Sequence, residues 1–356
     1  MRRAALILVV VVLLVVAAVV DRGSGDLAAQ GQRPAGTTFQ GKAFRFNKIK
    51  EGIYHAIGTG ALTVVGNSTV IVNDRDVVIV DDHVSPAAAW VLLEEIKAIT
   101  DKPVTTVVNT HFHFDHAHGN QIFAPGVQII GHEFTRRALL DDPLSQPLYQ
   151  RSYNFKTVEG RIEDLRKRIA SEENAAARDK LRTQLTSLEN DFASQKELRP
   201  TPPNVTLTTE MTLFRGDREI QIRYLGRGHT AGDVVVYLPR EKVVITGDLL
   251  TASTSNMSDS YPVEWAATLE QLKKLDFDTV IPGHGEAFTD KAKIDYFATY
   301  LRDVWSTVSE LKKQGVSAEE ASKRADLSKH KERFPNPAVP VLGTQRIYAL
   351  IDGTAQ

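Results

Sequence analysis

The chain is predicted to be an α/β protein with two β-sheets packed face to face, helices on their outer surfaces and a helical insertion between its halves. Three observations predict this. Strand-like and helical stretches follow one another as strands, helix, strands, helix; the two halves are roughly symmetric; and the residues able to do chemistry each follow a predicted strand. With 356 residues, 42% of them apolar, the chain can bury one large domain and still carry an insertion.

The N-terminus is a separate object. Arg2 and Arg3 precede an unbroken apolar run from Ala4 to Val20, and a polar, glycine-containing stretch follows. This predicts an export signal over residues 1–30, with small residues at Ala28 and Ala29 as a cleavage point, although Leu27 departs from the usual small residue. The run lies at the short end of what spans a bilayer, so an uncleaved membrane tether through residues 4–20 is the alternative. In both cases the positive residues stay cytoplasmic and the body is delivered across the membrane, to the periplasm or beyond. Residues 31–43, rich in Gly, Gln and Thr, are expected to be a linker.

The folded body is expected over residues 44–325, with an insertion at 155–200 and a C-terminal extension over 326–356. Three short β-rich runs, at 52–58, 67–74 and 76–82, are separated by turn signals at Gly66-Asn67 and Asn73-Asp74, which predicts antiparallel strands. Helical spacing of Trp90, Leu93 and Ile96 predicts a helix over 86–99, and Val104–Val108 reads as a short buried strand. Residues 157–195 are charged and carry apolar residues at Val158, Ile162, Leu165 and Ile169, then at Leu181, Leu185, Leu188 and Phe192. Both sets have the spacing of a helix seam, and the gap between Ile169 and Leu181 breaks the heptad phase. The prediction is a helical hairpin or coiled-coil arm, with one long helix as the alternative. Its role is read as structural or dimer-forming, against a lid over the active site. Beyond it, β-rich runs at 205–213, 219–225, 233–238 and 242–247 precede a helix at 264–275, a strand at 279–281 and a helix at 290–313.

Composition excludes several functions. A net charge of −1 supplies no positive field for phosphate backbones, so nucleic acid is not the expected partner and a small-molecule substrate is. The absence of cysteine excludes disulfides, thiolate nucleophiles, iron–sulfur clusters and zinc sites that use sulfur. Any metal must be held by His, Asp and Glu.

Such residues are concentrated in His111-Phe112-His113-Phe114-Asp115-His116, directly after the predicted strand at 104–108. In an extended stretch His111 and His113 point the same way and can grip one ion together. Asp115 and His116, where the loop enters a helix, point elsewhere and can serve a second ion. Partners follow further strands: His229 in Gly-Arg-Gly-His-Thr-Ala-Gly, Asp248 in Ile-Thr-Gly-Asp, and His284 in Ile-Pro-Gly-His-Gly. Their glycines allow close backbone approach around an ion. A structural zinc site is normally closed, four-coordinate and single, whereas this set offers seven ligands and leaves room for water. His55, His118, His132 and His330 are read as surface or packed histidines, and His83 as pocket-lining or an ordinary loop residue.

In this order the motifs resemble the metallo-β-lactamase superfamily over about residues 50–290. The resemblance implies an αβ/βα sandwich and a dinuclear centre of two zinc ions, with iron or manganese as alternatives. It implies one ion on His111, His113 and His229, a second on Asp115, His116 and His284, and Asp248 bridging them. It further implies that Asp81 orients a ligand histidine, Asp82 being the weaker candidate. Two ions about 3.5 to 4 Å apart lower the pKa of a shared water toward about 7 and polarise a carbonyl, so no Ser-His-Asp arrangement is required. Asp115 is the candidate catalytic group, orienting the nucleophile or passing a proton to the leaving group.

Details within the family narrow the expectation. The best-known zinc β-lactamases use a cysteine ligand and lack a histidine where His116 stands, and another subclass lacks a bridging aspartate where Asp248 stands. His116 and Asp248 together look more like glyoxalase II and the lactonases. The expected function is an exported metal-dependent hydrolase acting on a small ester, thioester, lactone or β-lactam. A mononuclear iron sulfur-dioxygenase-like enzyme and a non-catalytic periplasmic metal-binding or relay protein are the alternatives.

Overall fold

The structure, a computed structural model, describes residues 33–355 except 252, 253 and 255. The expected export signal or tether over residues 1–30 lies outside the described residues. Among the described residues no helix is long and apolar enough to cross a membrane.

The first half comprises β1 (Phe44–Lys50), β2 (Ile53–Gly58), β3 (Ser68–Val72), β4 (Val77–Val80), α1 (Pro86–Ile96), β5 (Val104–Val108), α2 (Phe114–Ala117), β6 (Gln128–His132) and α3 (Glu133–Leu140). Then come α4 (Pro147–Tyr153), α5 (Phe155–Ser171), α6 (Ala175–Lys196) and β7 (Val205–Leu207). The seven strands form one sheet in chain order, antiparallel from β1 to β4 and parallel from β4 to β7. The second half supplies β8 (Glu210–Arg215), β9 (Arg218–Tyr224), β10 (Val234–Leu238), β11 (Val243–Gly247), α7 (Pro262–Leu272) and β12 (Thr279–Pro282). Its sheet has the order β12-β11-β10-β9-β8, with only the β11–β12 pair parallel. The helices α8 (Ala292–Lys313), α9 (Ala318–Arg324) and α10 (Val341–Ile351) close the chain.

Strand alternation builds four layers. On β4, Val78 and Val80 face the space between the sheets with Ile220, Ile222, Val234, Val236 and Ile281, while Val77 and Ile79 face Ala88, Leu92 and Ile96 of α1. On the second sheet Val235, Val244 and Val280 meet Trp265 and Leu269 of α7 and Phe297 and Leu301 of α8. Each fully buried Val, Ile or Leu contributes about 1.5–3 kcal/mol of transfer free energy, which makes these three interfaces the main stabilising force. Leu327, Phe334, Val339 and Ile347, beyond residue 325, pack into the same cluster as α8.

The insertion has the expected hairpin form, one expected element changed and two were unread. The insertion is a hairpin because Asn174 restarts the helix, its side chain accepting a hydrogen bond from the Ala177 amide at 3.0 Å. Its base is docked on α1, where Ser194 Oγ accepts from the Ala87 amide at 3.0 Å. The single run at 205–213 is two strands, since β7 completes the first sheet and β8 begins the second. β1 alternates plainly through Phe44 and Phe46 but precedes the first expected run. β6 has only two adjacent apolar residues and no readable period.

Candidate metal centre

The parallel strand β5 ends at Val108, and its continuation carries His111 to the rim between the sheets. His113 lies just before α2, so Asp115 and His116 fall in a first helical turn and leave the chain in different directions from His111. The other residues arrive on the same rim from separate connections: His229 between β9 and β10, Asp248 directly after β11, and His284 after β12. Backbone bonds between the connections fix this rim. The Val234 amide donates to Thr110 O at 2.8 Å, Gly283 to Gly247 O at 2.8 Å, and Asn67 to Gly283 O at 2.7 Å. At Gly283 a Cβ would lie 2.3 Å from Asp248 Oδ1 and 2.9 Å from His116 Cε1, so only glycine lets the His284 turn approach.

All seven sequence-predicted residues are brought together. Ligand atoms of His111, His113 and His229 lie within 4.8 Å of one another, and so do those of Asp115, His116 and His284. Asp248 touches both groups: its Oδ2 is 3.5 Å from His229 Nε2 and 3.3 Å from His284 Nε2, and its Oδ1 is 3.5 Å from His116 Nε2. His284 Nε2 is also 3.2 Å from Asp115 Oδ2. His284 is the open member, with 29% of its side chain accessible, whereas the side chains of His111 and His116 are buried.

Asp81 is buried below His116. It accepts from His116 Nδ1 at 2.8 Å, from the Thr110 amide at 2.7 Å and from the Thr110 hydroxyl at 2.8 Å. The neighbouring Asp82 turns the other way and accepts from the Gly119 amide at 3.1 Å. His83 does not line the site: it is buried, stacks on Phe44 and meets Ser68 Oγ at 2.8 Å and Gly66 O at 3.1 Å. His55, His118, His132 and His330 are buried packing residues.

Two carboxylates escaped the sequence reading. Asp259, in the loop before α7, accepts from His113 Nε2 at 3.1 Å, and Asp233 ties the turn after His229 through the Thr230 amide and hydroxyl at 2.9 and 2.7 Å. Asp259, a lone aspartate in a Ser-rich loop, carries no local signal, whereas Asp233 stands directly after the His229 motif and three residues from Thr230.

The electrostatics are those of a cage built for cations. Burial holds His111 well below the usual histidine range and His229 down at about 3, so both are neutral and can donate a lone pair. Burial would also depress His116, but Asp115, Asp81 and Asp248 outweigh it and hold that imidazole at about 9. Asp248 is held well below the carboxylate range: burial opposes this, and His284 and His116 overcome it. Buried His111 Nε2 and His116 Nε2 have no hydrogen-bond partner. Stranding such atoms costs about 1–3 kcal/mol each, and a cation in each group of ligands would relieve its own member. The donor set, imidazole and carboxylate without sulfur, suits zinc, iron or manganese.

Similarity to known proteins bears on the family and the fold. The family model described as the metallo-beta-lactamase superfamily matches residues 62–284. A linear primary-alkylsulfatase from a Pseudomonas species is 22% identical over 269 residues, 71% of this chain and 48% of the other. A type 2 metallo-beta-lactamase from Bacillus cereus is 34% identical over 77 residues, 20% of this chain and 30% of the other. The chain thus spans less than half the length of either. Among solved structures, a metallo-beta-lactamase from Pontibacter korlensis superposes with a TM-score of 0.51 at 20% identity, covering 73% of this chain and 99% of that one.

Proposed function

The chain belongs to the metallo-β-lactamase superfamily, and from that premise we propose that it is an exported hydrolase with two zinc ions, acting on a small ester, thioester, lactone or β-lactam. One observation carries the reading: Asp248 lies between two groups of three ligands, one of imidazoles alone and one that includes Asp115. His111, His113 and His229 would hold one ion, and Asp115, His116 and His284 the other. When bound, the two ions would acidify a water between them and polarise the substrate carbonyl.

The protein's own groups do the rest. Asp115 presents Oδ2 toward His284, at the accessible side of the cage, where it can hold the nucleophile in line and pass a proton to the leaving group. Asp81 keeps the proton of His116 on Nδ1, so that Nε2 stays available as a donor to the cation. Substrate would enter past His284. Export rests on Arg2, Arg3 and the apolar run at 4–20.

The alkylsulfatase match, which covers far more of this chain than the lactamase match, adds sulfate esters as a second substrate class. The decisive experiment combines metal analysis with a hydrolysis panel of esters, thioesters, lactones, β-lactams and alkyl sulfates. About two zinc per chain with turnover of one class is the expected outcome. A single iron with oxygen uptake would point to the dioxygenase, and intact metals with no turnover to a binding protein. Asp115→Ala and His229→Ala should each abolish hydrolysis while the circular dichroism spectrum is unchanged. Retained activity in either variant would sink the site assignment.

A further inference from the structure

We propose that Asp259 is a positioning residue for His113, and that α10, outside the segment matched to the family, sets it by bracing the turn at residues 256–261. The inference rests on the metal-centre reading above. His113 is held from both sides: its Nδ1 is 2.9 Å from His229 Nε2, inside the first group of ligands, and its Nε2 meets Asp259 Oδ2 at 3.1 Å. A neutral imidazole carries one proton. A carboxylate at Nε2 keeps the proton there, leaves the Nδ1 lone pair for a cation and fixes the plane of the ring. Asp259 therefore stands to His113 as Asp81 stands to His116.

The two carboxylates are supported differently. Asp81 is rooted at the end of a central strand, whereas Asp259 sits on a turn that needs support from elsewhere. Part of that support is local: the Ser258 amide donates to Asn256 Oδ1 at 2.8 Å, the Ser258 hydroxyl to Asp259 Oδ2 at 2.6 Å, and the Ser260 hydroxyl to Met257 O at 3.0 Å. The rest comes from α10. Arg346 Nε donates to Ser260 O at 3.1 Å, and its guanidinium lies over the Tyr261 ring, 4.6 Å from the centroid. Gly343 presses on Met257 so closely that a Cβ there would stand 2.9 Å from Met257 Cβ. On its far side the turn reaches the same group of ligands again, since the Tyr261 amide donates to Gly228 O at 2.9 Å, next to His229. A displacement of α10 is thereby transmitted to two ligands of the first group, His113 through Asp259 and His229 through Gly228.

The test is a cobalt(II) titration of the metal-free full chain, followed by absorption spectroscopy, with a melting curve for each variant. Wild type should take up two equivalents. Asp259→Ala should lose about 10–100-fold in affinity for one equivalent, with a changed spectrum for that equivalent and the other unaffected. Asp259→Asn still accepts from Nε2 and should lose less. Arg346→Ala and Gly343→Val should weaken the same equivalent and add little to Asp259→Ala in the double variants. Wild-type affinity for both equivalents in Asp259→Ala and Asp259→Asn overturns the role of Asp259. Equal weakening of both equivalents in Arg346→Ala and Gly343→Val, or full additivity with Asp259→Ala, overturns the brace. A wild-type chain that takes up no cobalt overturns the metal-centre reading itself, and the two failures are thereby distinguished.

Discussion

Asp81 shows how much of the centre depends on a single residue. It adopts φ +61°, a left-handed conformation that is unfavourable for most non-glycine residues, and from there serves His116 Nδ1 and both donors of Thr110. Asp81→Asn tests this without changing size, since asparagine tolerates that conformation. Both oxygens of Asp81 accept, so the asparagine NH2 must meet a donor, either the Thr110 amide or the His116 N–H, and in either orientation the hold on the His116 ring is weakened. The expected result is a chain that folds but binds one of two metal equivalents about 10–100-fold more weakly in a chelator-competition titration. Unchanged affinity would mean that Asp81 does not hold His116. At this scale the sequence was informative wherever a residue sat in a motif, as Asp81, His229, Asp248 and His284 do. Asp259 was illegible because what recruits it is proximity to His113 after folding, whereas Asp233 makes a local contact with Thr230 that its spacing could have signalled.

At the scale of elements the helical hairpin is the instructive case. The phase break between Ile169 and Leu181 was readable, but how α6 meets the body was not, because its buried face is partly polar. Asp191 of α6 accepts from Gln195 Nε2 at 3.2 Å, and Gln195 in turn donates to Val84 O at 3.0 Å and accepts from the Tyr149 hydroxyl at 3.0 Å. Burial pushes Asp191 up to about 7. Its folded-state pKa is thus above the unfolded value, the folded state binds the extra proton, and stability falls as pH rises from about 4 to about 7. Asp191→Asn keeps the acceptor and removes the charge. Urea melts should show it near wild type at pH 4 and more stable by a few kcal/mol at pH 8. Equal stability at both pH values would show that Asp191 is solvated and the hairpin base open.

On the scale of the whole molecule, the centre joins connections from both sheets, so bound cations would cross-link the two halves of the sandwich. Chelation should lower the melting temperature on the order of 10 °C for ions held at about a thousand times their dissociation constant. Scanning calorimetry with and without chelator checks this, and an unmoved transition would argue that the cage holds no cation. The order of strands and helices determined the α/β sandwich in advance, because period-2 alternation and strand-end glycines are local features that burial enforces wherever the chain goes. That the seven candidate ligands come together was legible for the same reason: each follows a strand that carries it to the rim. Tertiary structure alone decided that 205–213 is shared between two sheets, that β6 is a strand, and that a C-terminal helix reaches the turn beside His113. Those outcomes depend on contacts between residues far apart in sequence, whose free energy appears only when the layers close on one another.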